Sequence, residues 1–359
     1  MNSPSSSMEE PRESSDPRAL TATEPFASDN RPRYTPGTDH VESWFFRANH
    51  PTEPKALWLK ATLLGRRRGP SVAEVWCSLF DGGPPRARGA KVTVPVEEAE
   101  FSGSPLGIEI AESRFRLEAD GGSARGAAGG FTWDLRWRRP PGAPAPLTEP
   151  LCLLPFRRLI DAPLPKNKLL TPAPALQFSG TVTWDGETWE VDRWLGMQGH
   201  NWGAAHSPQY AWGQCNFTNA QGAPFASVEA ASGRIVVAGQ TTPLLALMTI
   251  RRGNQAYRFD RLLDLWNQKA KIDFPRWSLR MRGPDGEAAL TMEARPERMV
   301  CLGYENPDGR LSHCLNSKLA RVHLRVNPVN DDGFECTSDH GGALEFLQPD
   351  PPPQIAEVV

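Results

Sequence analysis

Long apolar runs are missing from this chain. The most apolar stretch, residues 243–250, falls far short of the roughly 18–20 residues that a membrane helix requires, so no integral membrane segment is expected. An excess of one charge is missing too. Forty Lys and Arg stand against 42 Asp and Glu, a net charge of −2, without the basic surplus of a nucleic-acid binder. No Cys-x-x-Cys pair occurs. The six cysteines, Cys77, Cys152, Cys215, Cys301, Cys314 and Cys336, are scattered through a chain that opens without a secretory signal. That usage points to reduced thiols and a cytoplasmic location. Cys301, His313 and Cys314 match no zinc spacing, and no metal site is expected. The phosphate loop, His-Glu-x-x-His and Gly-x-Ser-x-Gly are all absent. The glycine-rich residues 121–130 lack the helix of a dinucleotide site and read as a hairpin loop. Residues 1–30, polar and rich in Ser and Pro, read as a disordered tail.

What is abundant is proline and tryptophan. Proline fills 35 of 359 positions, about twice its usual share, which disfavours long helices. Tryptophan outnumbers tyrosine 12 to 4, and large indoles suit apolar cavities and cross-strand packing. Period-two alternation recurs along the chain. Phe131, Trp133, Leu135 and Trp137 interleave with polar residues, as do Phe115 and Leu117, and Val322, Leu324 and Val326, while Val92, Val94 and Val96 alternate with Lys91, Thr93 and Pro95. Successive strand side chains point to opposite faces, so each run predicts a half-buried strand. Asp185–Gly186, Gly283–Pro284–Asp285–Gly286 and Asn306–Pro307–Asp308–Gly309 supply hairpin turns between such runs. One short helix is expected at residues 261–270. The fold expected is all-β, an antiparallel sandwich or barrel in two halves. The proline-dense residues 140–174 place the boundary near residue 168, giving domains at 31–168 and 169–348, with a proline-rich tail at 349–359.

One stretch concentrates chemistry, residues 193–216. In its core, residues 193–203 and 210–216, His200 is the one group that could exchange protons near neutral pH. Asn201, Gln214 and Asn216 are neutral donors and acceptors, and Trp212, Gln214 and Asn216 would share a strand face. Amides on an inward face need partners or a ligand, because unpaired burial costs about 1–3 kcal/mol each. A structural corner, with the tryptophans as core, accounts for the same residues. Glu42 and Trp44 form a second cluster and share a face if residues 39–46 are a strand.

Val41–Glu42–Ser43–Trp44–Phe45–Phe46, Gly199–His200–Asn201–Trp202–Gly203 and Trp212–Gly213–Gln214–Cys215–Asn216 resemble motifs of the AttH/CrtC lipocalin-like superfamily, in its tocopherol cyclase flavour. Tyr304–Glu305–Asn306–Pro307–Asp308–Gly309 is similar to it as well. The resemblance spans roughly residues 34–347 and implies two lipocalin-like β-domains side by side. Its members include tocopherol cyclases, carotenoid 1,2-hydratases and fungal cyclases of pericyclic reactions, with no cofactor implied. Several members carry an acid just before the histidine, where this chain has Gly199; Asp192 is the substitute within reach in sequence. The expected function is a non-redox cyclase, isomerase or hydratase acting on a hydrophobic unsaturated molecule, with a non-catalytic carrier as the alternative. His200, assisted by Asp192 or Glu42, is the expected acid/base. Asn201, Gln214 and Asn216 would orient polar substrate groups. Trp44, Trp202 and Trp212 would line the pocket and stabilise a carbocation by about 0.5–2 kcal/mol each.

Overall fold

The computed structural model describes residues 23–348, apart from 84–85, 163–164, 235 and 238–239, together with residues 350 and 355. Two curled antiparallel sheets make up most of it. The first, in hydrogen-bonding order, runs Arg86–Pro95, Val72–Asp81, Lys55–Gly65, His40–Asn49, Glu187–Gly203, Asn167–Trp184, Phe131–Arg138, Gly121–Ala128, Ser113–Glu118, Leu106–Ile110 and Glu100–Ser102. The second runs Gln255–Phe259, Leu245–Arg252, Pro224–Arg234, Gln209–Thr218, Phe334–Gln348, Leu311–Pro328, Gly286–Glu293, Arg276–Gly283 and Lys269–Asp273. In each, the first long strand pairs with the last one, which draws a meander into a lipocalin-like curl. The closing strands are long, 18 and 17 residues in the first sheet and 18 and 15 in the second. Register shifts at residues 170–180 and 317–322 bend them.

The alternating runs are strands as expected, except that Val96 already belongs to a 3-10 turn, Val96–Glu98. Residues 131–138 and 113–118 alternate buried with exposed throughout. Asp185 and Gly186 both take positive φ, as a two-residue hairpin turn requires. Other expectations need correcting. The glycine-rich loop is a strand, Gly121–Ala128, paired on both sides. Gly122 lies so close to the Trp137 indole that a Cβ would clash, which explains the glycine there. The short helix is a 3-10 turn, Leu262–Asn267. Residues 23–30 form an α-helix whose Phe26, Asp29 and Asn30 are buried, so this part does not belong to a tail. The rest of that tail, residues 1–22, and all of 349–359 but residues 350 and 355 lie outside the described residues. The chain passes between sheets after Gly203 and before Gln209, not near residue 168. Pro172 and Pro174, counted with the linker, sit where the pairing of Asn167–Trp184 slips, the place where a strand tolerates proline.

Each sheet holds its own apolar core, and a third cluster joins them. Phe45, Trp58, Trp76, Phe80 and Met197 of the first sheet pack there against Trp212, Leu302, Tyr304, Cys314 and Leu347 of the second. The strand His40–Asn49 is buried along its whole length because it serves both cores. Trp44, Phe46 and Ala48 face the first core. Phe45 faces the second sheet.

Polar groups on that second face fasten the sheets. The Arg47 guanidinium donates to the Asn49 side chain, to the Gln214 side-chain oxygen and to Gly341 O at 3.1 Å. Asn49 Nδ2 donates to Lys318 O and His340 O. Gln214 and Asn216 donate to Pro174 O, and Asn216 also to Gly196 O. Burial pulls the Arg47 guanidinium down to about 10, still fully charged at neutral pH. Replacing Arg47 with Met leaves several buried acceptors without donors. We expect Arg47→Met to lose roughly 3 kcal/mol or more in a urea titration; a loss within experimental error would show that the sheets do not depend on this fastening.

Candidate active site

Between the sheets lies a cavity of about 210 Å³. Its wall is mostly apolar and aromatic, from Phe45, Trp58, Leu169, Tyr210, Trp212 and Tyr304. Into this wall are set Lys60, Lys168 and Glu345. Lys60 stands on strand Lys55–Gly65, on the face opposite Leu57, Leu59 and Ala61 of the first core. It is 4% exposed. Its ammonium has no hydrogen-bond partner among the described residues; it lies 3.7 Å from the centre of the Tyr304 ring and 5.6 Å from that of Trp76. Burial pulls this ammonium down to about 8, although the nearby Cys314, Glu345 and Glu74 favour its charge.

Glu345 is held from several sides. Lys318 Nζ lies 2.6 Å from its Oε1, Asn316 Nδ2 donates at 3.1 Å, and the Cys314 thiol at 3.7 Å. Burial, with Cys314 and Glu345 close by, raises the Tyr210 and Tyr304 phenols well above their ordinary value. Both therefore stay protonated and able to donate. Burial, with Lys60 adding to it, drops His206 to about 3; its ring packs 5.2 Å from Tyr304, neutral at ordinary pH. Trp212 Nε1 donates to Glu229 at 3.1 Å, and Thr171 holds the same carboxyl, which fixes the indole against the cavity.

Of the residues singled out from sequence, Trp212 and Asn201 line this cavity. Gln214 and Asn216 fasten the sheets instead. Glu42, Trp44, His200 and Trp202 are gathered elsewhere, beside the helix Thr23–Asn30. Glu42 and His200 are wholly buried, with His200 Nε2 2.9 Å from Glu42 Oε1. His200 Nδ1 lies 2.5 Å from Asp29 O, a carbonyl that can only accept. Both ring nitrogens thus face acceptors. The ring is stacked on Trp44 at 4.7 Å and flanked by Trp202 at 4.8 Å. Glu42 also accepts from His40 Nε2 and from the backbone N–H groups of Arg33 and Tyr34. Burial alone would raise its carboxyl, but the bonds and charges of His200 and His40 hold it down at about 2. This cluster pins residues 29–34 onto the first sheet. A more open groove of about 610 Å³ reaches Asn30 and borders neither Glu42 nor His200.

Asp192 does not join either group. Its side chain is 76% exposed and paired with the exposed Arg193. No acid replaces Gly199 either, because a Cβ there would lie 2.2 Å from the Phe45 ring, which fills that space. Among the described residues, no group of three or more His, Cys, Asp or Glu is arranged to hold a metal ion. Lys60, Lys318 and Glu345 were not picked out from sequence, and Tyr210 and Tyr304 lay in the stretches singled out but were given no role. The available signal was a lysine interrupting each of two apolar strands, Trp58–Leu59–Lys60–Ala61 and Ser317–Lys318–Leu319–Ala320.

Residues 173–345 match the family model described as tocopherol cyclase-like. This part of the chain is tocopherol cyclase-like. An uncharacterised protein of Mycobacterium tuberculosis, Rv0493c in strain ATCC 25618 / H37Rv and MT0513 in strain CDC 1551 / Oshkosh, is 25% identical over 295 residues. The match covers 82% of this chain and 84% of that protein. Solved structures share the architecture at low identity. Kievitone hydratase from Nectria haematococca superposes with a TM-score of 0.52 at 12% identity, covering 89% of this chain and 91% of its own. CghA gives 0.54 at 12%, covering 90% and 95%. An AttH candidate from Nitrosomonas europaea gives 0.51 at 11%, covering 87% and 93%. Identities this low speak for the fold alone, that of the AttH-like lipocalin relatives. The tocopherol cyclase-like segment supplies Tyr210, Trp212, Tyr304, Lys318 and Glu345, while Trp58 and Lys60 come from outside it.

Two pH-dependent outcomes follow from these environments. Glu42 titrates lower folded than unfolded, so its stabilisation is complete above about 4.5 and is lost as pH falls towards about 2. Glu42→Gln should be less stable at pH 7, by roughly 3–5 kcal/mol for a broken buried pair. Its deficit should shrink over that acid range in denaturant titrations; a pH-independent deficit would contradict the ion-pair reading. Lys60 also titrates lower folded than unfolded, but as a base, so its buried charge costs stability below about 8 and the cost fades up to 10.5. Lys60→Met should therefore be the more stable protein at pH 7, by roughly 1–4 kcal/mol. That advantage should narrow from pH 8 upward; the groups facing Lys60 are Glu345, Glu74, Cys314, Lys91 and Tyr304. A destabilised Lys60→Met would mean that the ammonium is better paired than it stands here.

Proposed function

We propose that the chain is a non-redox enzyme of hydratase or cyclase type, and that its reaction on a hydrophobic unsaturated small molecule takes place in the cavity between the sheets. The observation that carries the reading is the cavity itself, apolar and aromatic, yet set with Lys60, Glu345 and two protonated tyrosines. Ionisable groups such as Lys60 and the two tyrosines, shifted by burial inside a cleft, are candidates for a functional site. The tocopherol cyclase-like segment supports the same class.

Each group has a role that its surroundings suit. Tyr210 and Tyr304, kept protonated by burial, donate a hydrogen bond to a substrate oxygen, and Glu345, with Lys318 beside it, takes a proton or orients a water. Trp58, Trp212 and Phe45 hold the apolar body so that the reacting atoms meet in one geometry. Asn201, at the cavity wall, orients a polar substituent. His200 and Glu42 act by position in this reading, since they hold residues 29–34 against the first sheet.

The substrate need not be named for the reaction to be detected. An organic extract of the host is incubated with the protein, and its small molecules are compared by mass spectrometry before and after. A hydratase yields a product that gains or loses one water; a cyclase yields one of unchanged mass and new retention time. The variant Ala231→Trp, which fills the cavity, should abolish the change while keeping the fold. Loss of two hydrogens would overturn the non-redox assignment. A bound molecule recovered unchanged, with no product, would make the chain a carrier.

A further inference from the structure

We infer that this cavity selects hydrophobic molecules bearing an anionic oxygen, which seats on the Lys60 ammonium. The inference rests on the cavity being the ligand site, as proposed above, and adds the charge of what it takes.

Three observations carry it. The first is the charge that faces the cavity. Lys60 and Lys168 line it with one acid, Glu345, and that acid is already paired with Lys318 at 2.6 Å. Lys168 gives a hydrogen bond to Pro165 O. Lys60 is left as a buried cation lining the cavity, with three donors and, among the described residues, no acceptor to receive them. A buried charge of this kind is costly until a ligand of opposite charge arrives.

The second observation concerns the aromatic faces. Tryptophan and tyrosine faces can stabilise a carbocation, but here protein cations already occupy them. Lys60 lies over Tyr304, Trp76 and Trp58 at 3.7, 5.6 and 6.0 Å, and Lys318 over Trp58 and Trp212 at 5.5 and 5.6 Å. A positive charge forming on the substrate would meet two ammonium groups of like sign. A negative charge delocalised onto a conjugated oxygen, as in an enolate or phenolate, would be stabilised. The third observation is the set of unpaired polar atoms. Among the described residues the Trp58 indole N–H and the Asn201 side-chain oxygen are buried without partners, and both residues line the cavity. An oxyanion accepts from the first, and a neighbouring hydroxyl or N–H donates to the second.

The test uses two fluorescent probes with one aromatic skeleton: 8-anilinonaphthalene-1-sulfonate, an anion, and N-phenyl-1-naphthylamine, its neutral counterpart. Both are titrated into the full chain, into Lys60→Met and into Lys60→Arg, at pH 7, with circular dichroism as the fold control. The full chain should prefer the anion by about tenfold or more, the size expected for one desolvated opposite charge. Lys60→Met should lose that preference while keeping the neutral probe's affinity, and Lys60→Arg should retain most of it. Equal affinities in the full chain, or a preference that survives Lys60→Met, would overturn the inference and leave the cavity reading intact. If neither probe binds, or if both bind equally well to Ala231→Trp, the cavity reading fails and this inference with it.

Discussion

The strand His40–Asn49 lies between two cores, and each of its polar groups must find a partner in one or the other. That requirement sets the arrangement of the rest. On one side Glu42 is satisfied by His200, His40 and the backbone of residues 33–34, which draws the segment after the first helix onto the sheet. On the other side Arg47 and Asn49 are satisfied by Gln214 and by carbonyls of the second sheet. Buried hydrogen-bonding groups are directional in a way that apolar contact is not, so these bonds fix how the sheets face each other. Where the fastening ends and the aromatic residues begin, the two surfaces stand apart, and the gap is the cavity.

The charge in that gap follows from the same geometry. Lys60 points away from its own core and would reach water if its sheet stood alone. The second sheet covers it, which removes its hydration and lowers its titration to about 8. Glu345 comes from the second sheet but is taken by Lys318 of the same sheet, so the first sheet's cation stays unneutralised. A fold tuned for stability alone would place an apolar residue there. The cation is therefore the feature that ties the architecture to a reaction or a ligand.

Much of the fold could be read from the chain itself, because half-buried strands write their burial as alternation. Phe131–Arg138 and the hairpin at Asp185–Gly186 are legible for that reason. The sheet switch after Gly203 was not, because proline inside a bulged strand looks the same as proline in a linker. The helix Thr23–Asn30 was not, because it is amphipathic only weakly and is held by contacts from Asp29 and Asn30 to residues far along the chain. The motif residues split. Gly199, His200 and Asn201 do lie at a structurally decisive place, yet His200 faces the pinned segment while Asn201 faces the cavity, as neighbours on a strand must. Lys60 interrupts an apolar strand, which was the available signal, but a lone lysine in a strand ordinarily reads as a solvent-facing residue. Only a second sheet laid over that face turns it into a buried one, and no local pattern announces such a cover.

A crystal structure of the full chain with 8-anilinonaphthalene-1-sulfonate bound would show directly what the cavity takes. The aromatic rings should lie in the cavity, between Trp58 and Trp212, with a sulfonate oxygen within hydrogen-bond reach of Lys60 Nζ. A probe seated instead in the groove beside the helix Thr23–Asn30, with the space between the sheets closed by side chains, would contradict it and return attention to the Glu42–His200 cluster.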